Sequence, residues 1–223
     1  GLRIASAKDD AAGLGVSERM RAQTRSLSVA ERNLQDGINL VRTAEGALAE
    51  VNEILIRAKE LSLTAMNGTL NANDRGVLNT EYQELAAELD RVIENTEYNG
   101  INLFTNSAAF SVEIQTGTDS GETISIDTFT NMSGFGNIMQ IPLFALDNDP
   151  TGPIISNLIA DILSPFVAQR RGEFGAFENQ MQSALRSVQN TRENLTSAES
   201  RIRDVDVADA LSLIHISEPT RPL

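Results

Sequence analysis

Cysteine is absent from the 223-residue chain, which excludes disulfide bonds, cysteine-bound metals and thiol catalysis. Tryptophan is absent too, and aromatic residues make up only 4% of the sequence. A chain with so few large rings is poorly suited to a bulky globular core. The composition instead favours long helices that pack through Leu, Val, Ile and Ala.

Positive charge is scarce: 18 Lys and Arg stand against 31 Asp and Glu, which gives a formal net charge of −13. Such a surface repels phosphate, so we expect binding to neither nucleic acid nor an anionic membrane. No apolar run approaches the roughly 18 residues that a membrane-spanning helix needs. No signal peptide is visible either.

Residues that could support catalysis are isolated. His215 is the single histidine. Asp204 and Asp206 are two residues apart and could in principle transfer a proton or bind a metal. Neither a histidine nor a glycine-rich loop accompanies them, so we interpret them as a solvated helix end. Phosphate-binding, zinc and nucleophile motifs are missing, and the sequence predicts no enzyme, no cofactor and no metal site.

A heptad pattern dominates the first segment, from about Asp10 to Asn67. Its positions seven residues apart are Met20, Leu27, Leu34, Val41, Leu48 and Leu55. This spacing predicts one apolar face on a single long helix, of about 75 Å at ~1.5 Å per residue. Gly37 leaves a gap in the face, where we expect a partner helix to approach closely. Gly68 is expected to cap the end of this helix.

Two later segments carry the same three-and-four spacing. The second, capped by Asn73 or Asp74 and ending near Glu94, presents Leu78, Tyr82, Leu85, Leu89 and Val92. The third begins near Phe174, after a lead-in at 154–167 where Pro165 is a kink or a boundary. Its main apolar positions are Phe174, Phe177, Met181, Val188, Leu195 and Ile202. Together the three segments predict a mainly α fold, a long antiparallel helical rod or bundle.

Between the helices the pattern changes to a period of two. Phe110, Val112 and Ile114 alternate with polar residues, as do Ile124 and Ile126. This predicts a small β-hairpin insert, followed by an irregular stretch from 131 to 152. We therefore expect four parts: helices at 1–104, the hairpin and outer segment at 105–153, the C-terminal helix at 154–210, and a tail at 211–223.

Several blocks resemble bacterial flagellins. The first is GLRIASAKDDAAG with the helix that follows it, up to Leu55. The others are TEYNGINLF at 96–104, the hairpin VEIQTGTDSGETISID, and NLTSAESRIRDVDVA at 194–208. They occur in the family's order and together cover most of residues 1–128 and 174–208.

The resemblance implies a structural subunit of the flagellar filament that polymerises through coiled-coil-like helices and has little or no outer domain. It also implies secretion by the flagellar type III route to an extracellular filament, with the export apparatus, an export chaperone and the filament cap as partners. Within the block Ser6–Gly13, Asp9 and Asp10 suit a helix N-terminus, and the family suggests a subunit contact in addition.

At both ends the chain departs from the flagellin pattern. The residues that usually precede the first block are missing, and the usual helix after 208 is replaced by LSLIHISEPTRPL. This tail resembles the translation of a sequencing adaptor, so we interpret 211–223 as an artefact. We expect the two terminal helices of the family to be absent from this chain.

Vertebrate innate receptors recognise many flagellins on the first helix and the return helix. The positions that match by motif are Arg57, Leu61 and Glu81, with Thr64 where the family has Gln. The alternative is that the charged side chains are merely solvated. Two other functions stay open from the sequence alone: a hook–filament junction protein, and a non-flagellar helical signalling or adhesion rod.

Overall fold

Long helices dominate the computed structural model, which describes residues 3–104, 110–129, 132, 134–141, 144–146, 149–150 and 152–204. The helices are α1 (Ala11–Ala65), α2 (Ala72–Asn95), α3 (Gly134–Met139), α4 (Gly152–Leu158) and α5 (Ser164–Arg203). Three strand pairs stand between them: β1 (Glu97–Tyr98) with β2 (Ile101–Asn102), β3 (Phe110–Gln115) with β4 (Thr123–Phe129), and β5 (Phe144–Leu146) with β6 (Asp149–Pro150). The predicted mainly α fold with a β-hairpin insert is confirmed.

Helix α1 begins where the sequence places it, and its N-terminus is closed by Asp10. The Asp10 carboxylate accepts the Gly13 N–H at 2.9 Å, which satisfies one of the free donors of a first helical turn. Asp9 organises the turn before the helix, because its Oδ2 accepts the Ser6 N–H at 2.9 Å and the Ser6 hydroxyl at 3.0 Å. These hydrogen bonds lower the pKa of Asp9.

The predicted caps between α1 and α2 are wrong. α1 ends at Ala65, and Gly68 lies three residues beyond it without the left-handed backbone of a capping glycine. Asn71, rather than Asn73 or Asp74, caps α2: its side chain accepts the N–H groups of residues 73 and 74, and the Asp74 carboxylate accepts the Asn71 N–H. This reciprocal capping box places the cap of α2 two or three residues earlier than expected.

The buried face of α2 differs in part from the predicted stripe. Its buried residues are Tyr82, Ala86, Leu89 and Ile93, while the side chains at 78, 85 and 92 are half-buried. Both stripes share positions 82 and 89. A 3.6-residue repeat allows either one, so only the packing partners decide between them.

The stretch 131–152 was expected to be irregular, and this is wrong for part of it. Helix α3 packs on α2 and buries Met139, and strands β5 and β6 pair Phe144 with Pro150. A six-residue helix and strands of three and two residues are too short to produce a detectable period in the sequence.

A π-helical turn at Ile159–Leu163 joins α4 to α5, and Ser164 donates its N–H to the carbonyl of Ile159. Pro165 lies two residues after the end of this turn, inside a stretch that is helical from 152 to 203. The boundary predicted at Pro165 lies next to the change from π- to α-helical structure, and no break in the helix occurs there.

The chain separates into two compact units made of non-contiguous segments. Unit 1 comprises Gly1–Gln35, Gln115–Thr123 and Ser183–Leu223, and unit 2 comprises Asp36–Ile114 and Ile124–Gln182. The four-part division made from the sequence stays a prediction. Its last part, the tail 211–223, lies outside the described residues.

Candidate functional site

No described helix is long and apolar enough to cross a membrane. Among the described residues there is also no group of three side chains suited to holding a metal ion. Asp204 lies at the end of α5, where its Oδ2 accepts the Ser200 hydroxyl at 2.7 Å and its N–H donates to the Ser200 carbonyl. This is the geometry of a solvated helix end. Asp206 and His215 lie outside the described residues.

In unit 2, the predicted apolar faces of the first and third segments are buried. Val41, Leu48 and Leu55 of α1 are fully buried, as are Phe174 and Met181 of α5, while Phe177 is half-buried. We call these residues the unit 2 seam. Full burial of a large apolar side chain contributes about 1.5–3 kcal/mol, so the seam stabilises this unit.

Gly37 is the point of closest approach in unit 2. A Cβ placed on it would lie 2.9 Å from Sδ of Met181 and 3.1 Å from Cγ1 of Ile114. Met181 of α5 and Ile114 of β3 therefore fill the gap that the sequence leaves in the heptad face. The expected close approach exists, and a hairpin residue takes part in it.

The seam of unit 1 is less completely buried. Leu27 and Leu34 of α1 and Val188 of α5 are buried, whereas Met20, Leu195 and Ile202 are half-buried. Ser17 of α1 is also fully buried, and its hydroxyl donates to the Leu14 carbonyl at 2.9 Å. The assignment of all twelve seam residues to helix packing stays a prediction.

Ion pairs flank the seams and show that α1 and α5 run antiparallel within each unit. In unit 2, Arg42 contacts Glu178 at 2.7 Å, and Glu45 contacts Arg171 at 3.6 Å. As the residue number rises along α1, its partner's number falls along α5. Such partly exposed pairs contribute about 0–1 kcal/mol each, so they select register more than they stabilise.

The same arrangement holds in unit 1. The Glu31 carboxylate accepts a hydrogen bond from the Gln189 amide at 2.9 Å and forms an ion pair with Arg192 at 3.4 Å. Glu18 contacts Arg203 at 3.1 Å. The register of unit 1 is therefore set by acidic residues of α1 against polar and basic residues of α5.

The two sequence blocks with the strongest family character meet in unit 1. The guanidinium of Arg3 donates to the carbonyl oxygen of Ile202 at 2.6 Å and to that of Arg201 at 3.4 Å. Its backbone N–H donates to the carbonyl of Arg203 at 2.7 Å. The last carbonyls of a helix lack partners within it, so Arg3 closes the end of α5. Sequence reasoning missed this contact.

The three positions assigned to receptor recognition differ in exposure. Arg57 and Glu81 are joined across α1 and α2 by hydrogen bonds of 2.9 and 2.5 Å, and Glu60 also contacts Arg57 at 3.1 Å. The hydrogen bond that Arg57 donates to the Glu81 carboxylate is the main cause of the raised pKa of Arg57. Leu61 is buried, with 2% of its surface exposed. The pair joins the two helices on the surface, and Leu61 packs beneath them.

An apolar cleft beside the unit 2 seam was also missed. Ile56 and Leu63 of α1 are 49% and 51% exposed, and they line the cleft together with Pro165 and Ala168 of α5. Lys59 and Glu60 form part of its polar edge. Ile56 follows Leu55 directly and Leu63 lies seven residues after Ile56, so a second, parallel apolar row was present in the sequence.

Comparison with known proteins gives the chain its family. A model of the bacterial flagellin N-terminal helical region matches residues 1–109, and a model of the flagellin C-terminal helical region matches residues 159–215. The second match ends five residues into the unusual tail.

Curated flagellar proteins are similar to this chain over nearly all of its length. A flagellin of Halalkalibacterium halodurans is 42% identical over 210 residues, which cover 93% of this chain and 75% of that protein. The flagellin of Bacillus subtilis is 35% identical over 95% of this chain and 79% of its own length. A flagellar filament 33 kDa core protein of Treponema phagedenis is 33% identical over 93% of this chain and 77% of its own length.

These matches favour a filament subunit over the junction protein and over a non-flagellar rod, and they fit a structural rather than a catalytic protein. The regions matched by the two family models contain the buried seams of α1 and α5 and the contact between Arg3 and the end of α5. The chain belongs to the bacterial flagellin family and is a structural subunit of the flagellar filament.

Proposed function

We propose that copies of this chain associate in the filament through the apolar cleft formed by Ile56, Leu63, Pro165 and Ala168. The observation that carries the proposal is the pair of large aliphatic side chains on α1 that stay about half exposed beside a filled seam. Water-exposed apolar area is worth about 25 cal/mol per Å² when a partner covers it. Because members of this family assemble into filaments, we take a second copy of the chain as that partner.

Single charged substitutions test this surface. Ile56→Glu and Leu63→Glu place a carboxylate in the cleft, which must lose its water on association and repels a chain whose net charge is already −13. We expect filaments to shorten or vanish when either variant is the only flagellin gene of its host, as seen by electron microscopy. The variant should still be found in the medium.

Val77→Glu is the matched control, because Val77 is 69% exposed on α2 and is not among the residues that line the cleft. It should leave filaments unchanged. Normal filaments in both cleft variants would contradict the proposal. A loss of filaments in Val77→Glu equal to that in the cleft variants would contradict it as well. Circular dichroism of each purified chain confirms that the helices are retained.

We propose that the chain reaches the outside of the cell by the flagellar type III route, with an export chaperone and the filament cap as partners. Family membership supports this. A chain without cysteine also needs no oxidative pairing to refold after leaving a channel. Deletion of the export apparatus should abolish the chain in the medium while it remains detectable in the cell. Undiminished secretion from that strain would exclude the route.

We propose that Arg57 and Glu81, supported by Leu61, form a surface that innate receptors contact. The hydrogen-bonded and exposed pair on two adjacent helices supports this. In a receptor reporter assay, Arg57→Ala and Glu81→Ala should each weaken the response to purified chain. Arg91→Ala is the control, since Arg91 forms a comparable exposed pair with Glu88 on α2. No response to the unaltered chain at high dose would overturn the proposal.

A further inference from the structure

Asparagine followed by glycine occurs twice in the chain, at Asn67-Gly68 and at Asn99-Gly100. Glycine leaves its own N–H sterically open to the preceding side chain, because it has no Cβ. Both asparagines are exposed, so exposure alone does not distinguish them. The two sites differ in the hydrogen bonding of the asparagine side chain and in backbone geometry.

The Asn67 side chain is folded back over the Gly68 peptide. Its Oδ1 accepts the N–H of Thr69 at 3.1 Å, which closes a ring across residue 68. This N–H withdraws electron density from the side-chain carbonyl carbon and would stabilise negative charge on its oxygen. The Gly68 N–H donates to no acceptor in the described part of the chain. The nucleophile and a polarised electrophile thus belong to adjacent residues in one turn.

The geometry points to Asn67 as a site of spontaneous covalent self-modification by deamidation. Hydroxide removes the proton from the Gly68 nitrogen, and that nitrogen attacks Cγ of Asn67. A C–N bond forms, the bond from Cγ to Nδ2 breaks, and ammonia leaves with a proton from water. Water then opens the cyclic imide at either carbonyl and leaves aspartate or isoaspartate. The product adds a carboxylate between α1 and α2, and the isoaspartate form adds a methylene to the backbone.

Asn99 is the internal comparison. It occupies a two-residue turn with φ of 51°, followed by Gly100 at φ of 74°, between the paired strands β1 and β2. The pairs Glu97 with Asn102 and Tyr98 with Ile101 fix that turn. Its Oδ1 accepts no hydrogen bond from the described residues. Cyclisation at Asn99 must distort the paired strands β1 and β2. Cyclisation at Asn67 requires a change only in the local turn at 67–69.

The test is to incubate the full chain in mildly alkaline buffer and follow both sites by peptide mapping with mass spectrometry, which separates asparagine, aspartate and isoaspartate forms. We expect Asn67 to convert about tenfold faster than Asn99 in the folded chain. This rate ratio is smaller than the roughly 10²–10³-fold rate effect of a hydrogen-bond donor in a buried oxyanion hole, because the Asn67 loop is solvated. In concentrated urea the two rates should become similar.

Two variants separate the causes. Gly68→Ala should slow conversion of Asn67 in both folded and unfolded chain, and the fold tolerates it, since nothing lies within 4 Å of the added Cβ. Thr69→Pro removes the N–H that donates to Oδ1 of Asn67. It should therefore slow the conversion of Asn67 in the folded chain and leave the rate in the unfolded chain unchanged. Equal folded rates at the two sites, faster conversion at Asn99, or an unchanged rate in folded Thr69→Pro would each overturn the assignment. So would the absence of conversion at Asn67.

Discussion

The backbone N–H of Arg3 donates to the carbonyl oxygen of Arg203 over 2.7 Å. The residue at the start of the described chain thus closes the end of its last described helix. The Arg203 guanidinium in turn contacts Glu18 of α1 at 3.1 Å. Residues of the motif blocks GLRIASAKDD and SAESRIRD therefore meet in one contact in unit 1.

Replacing Arg3 by alanine should loosen the end of α5. The change removes the side-chain hydrogen bonds to the carbonyls of Ile202 and Arg201, and charged hydrogen bonds of this kind contribute about 1–2 kcal/mol at a solvated site. Hydrogen exchange of the last turn of α5 should accelerate, and thermal unfolding should shift slightly down. Arg25→Ala is the control, because Arg25 is exposed on α1 and forms no ion pair with the described residues. If the amide hydrogens in the last turn of α5 exchanged equally fast in both variants, Arg3 would not be the residue that stabilises the end of α5.

Gly37→Ala should destabilise unit 2 by about 1–3 kcal/mol, the usual cost of overpacking a filled core. The added methyl would lie 2.9 Å from Sδ of Met181 and 3.1 Å from Cγ1 of Ile114. Chemical denaturation monitored by circular dichroism measures the change. Combining it with Met181→Ala should cost less than the sum of the two single changes, because the shortened side chain makes room.

Gly46→Ala provides the opposite expectation on the same helix. No atom lies within 4 Å of the Cβ it would add, and alanine is favoured over glycine in a helix by about 1 kcal/mol. This variant should therefore be more stable than the unaltered chain. If both glycine variants changed stability in the same direction, the close approach at Gly37 would not be the cause.

Asn71→Ala should destabilise α2 by about 1 kcal/mol, since the Asn71 side chain accepts two N–H groups of the first turn. Asn73→Ala should have little effect, because Asn73 lies inside the helix and is exposed. Urea unfolding of the two variants compares them directly. A larger loss from Asn73→Ala would restore the cap position that the sequence suggested.

The parts of the fold that were predictable are those where one physical period repeats many times. The six heptad positions from Met20 to Leu55 identified α1 as one long helix, and the bounds predicted for it, Asp10 and Asn67, lie within two residues of its ends. The alternation at 110–126 located the hairpin. The face of α2 was ambiguous because Leu85 and Ala86 are adjacent candidates for one position. The short helix α3 had too few turns to show a period.

Contacts between distant segments were not predictable from pattern alone. Arg3 carries no sequence feature that points to the end of α5, since any arginine can donate to a free carbonyl. Likewise the heptad gap at Gly37 predicts a close neighbour without saying that Ile114 of the hairpin is one of them. The exposed row of Ile56 and Leu63 was hidden because the stronger row one residue away explained the helix by itself.

The hydroxyl of Tyr82 gives a prediction of pH dependence. Tyr82 is fully buried, and its hydroxyl has no hydrogen-bond partner among the described residues. Burial raises the pKa of Tyr82 from 10.0 to about 12, because the phenolate would lose its water. Tyr82→Phe removes an unpaired polar group and should raise the free energy of unfolding by about 1 kcal/mol at neutral pH.

The sign of the pH effect follows from which state holds the proton. Below pH 10 the phenol is protonated in both the folded and the unfolded chain, so Tyr82 adds no pH dependence. Between pH 10 and about 12 the unfolded chain releases the proton while the folded chain keeps it. Ionisation then stabilises the unfolded state, and the free energy of unfolding falls by roughly 2–3 kcal/mol across this range.

Tyr82→Phe should lose this alkaline decline, so the gap in stability between it and the unaltered chain should widen as pH rises above 10. The chain has two tyrosines, and a Tyr98→Phe background leaves Tyr82 as the sole source of tyrosinate absorbance. In that background the absorbance should rise only near pH 12 or together with loss of helical circular dichroism. Tyrosinate that forms near pH 10 in a chain that is still helical would show that the Tyr82 hydroxyl reaches water.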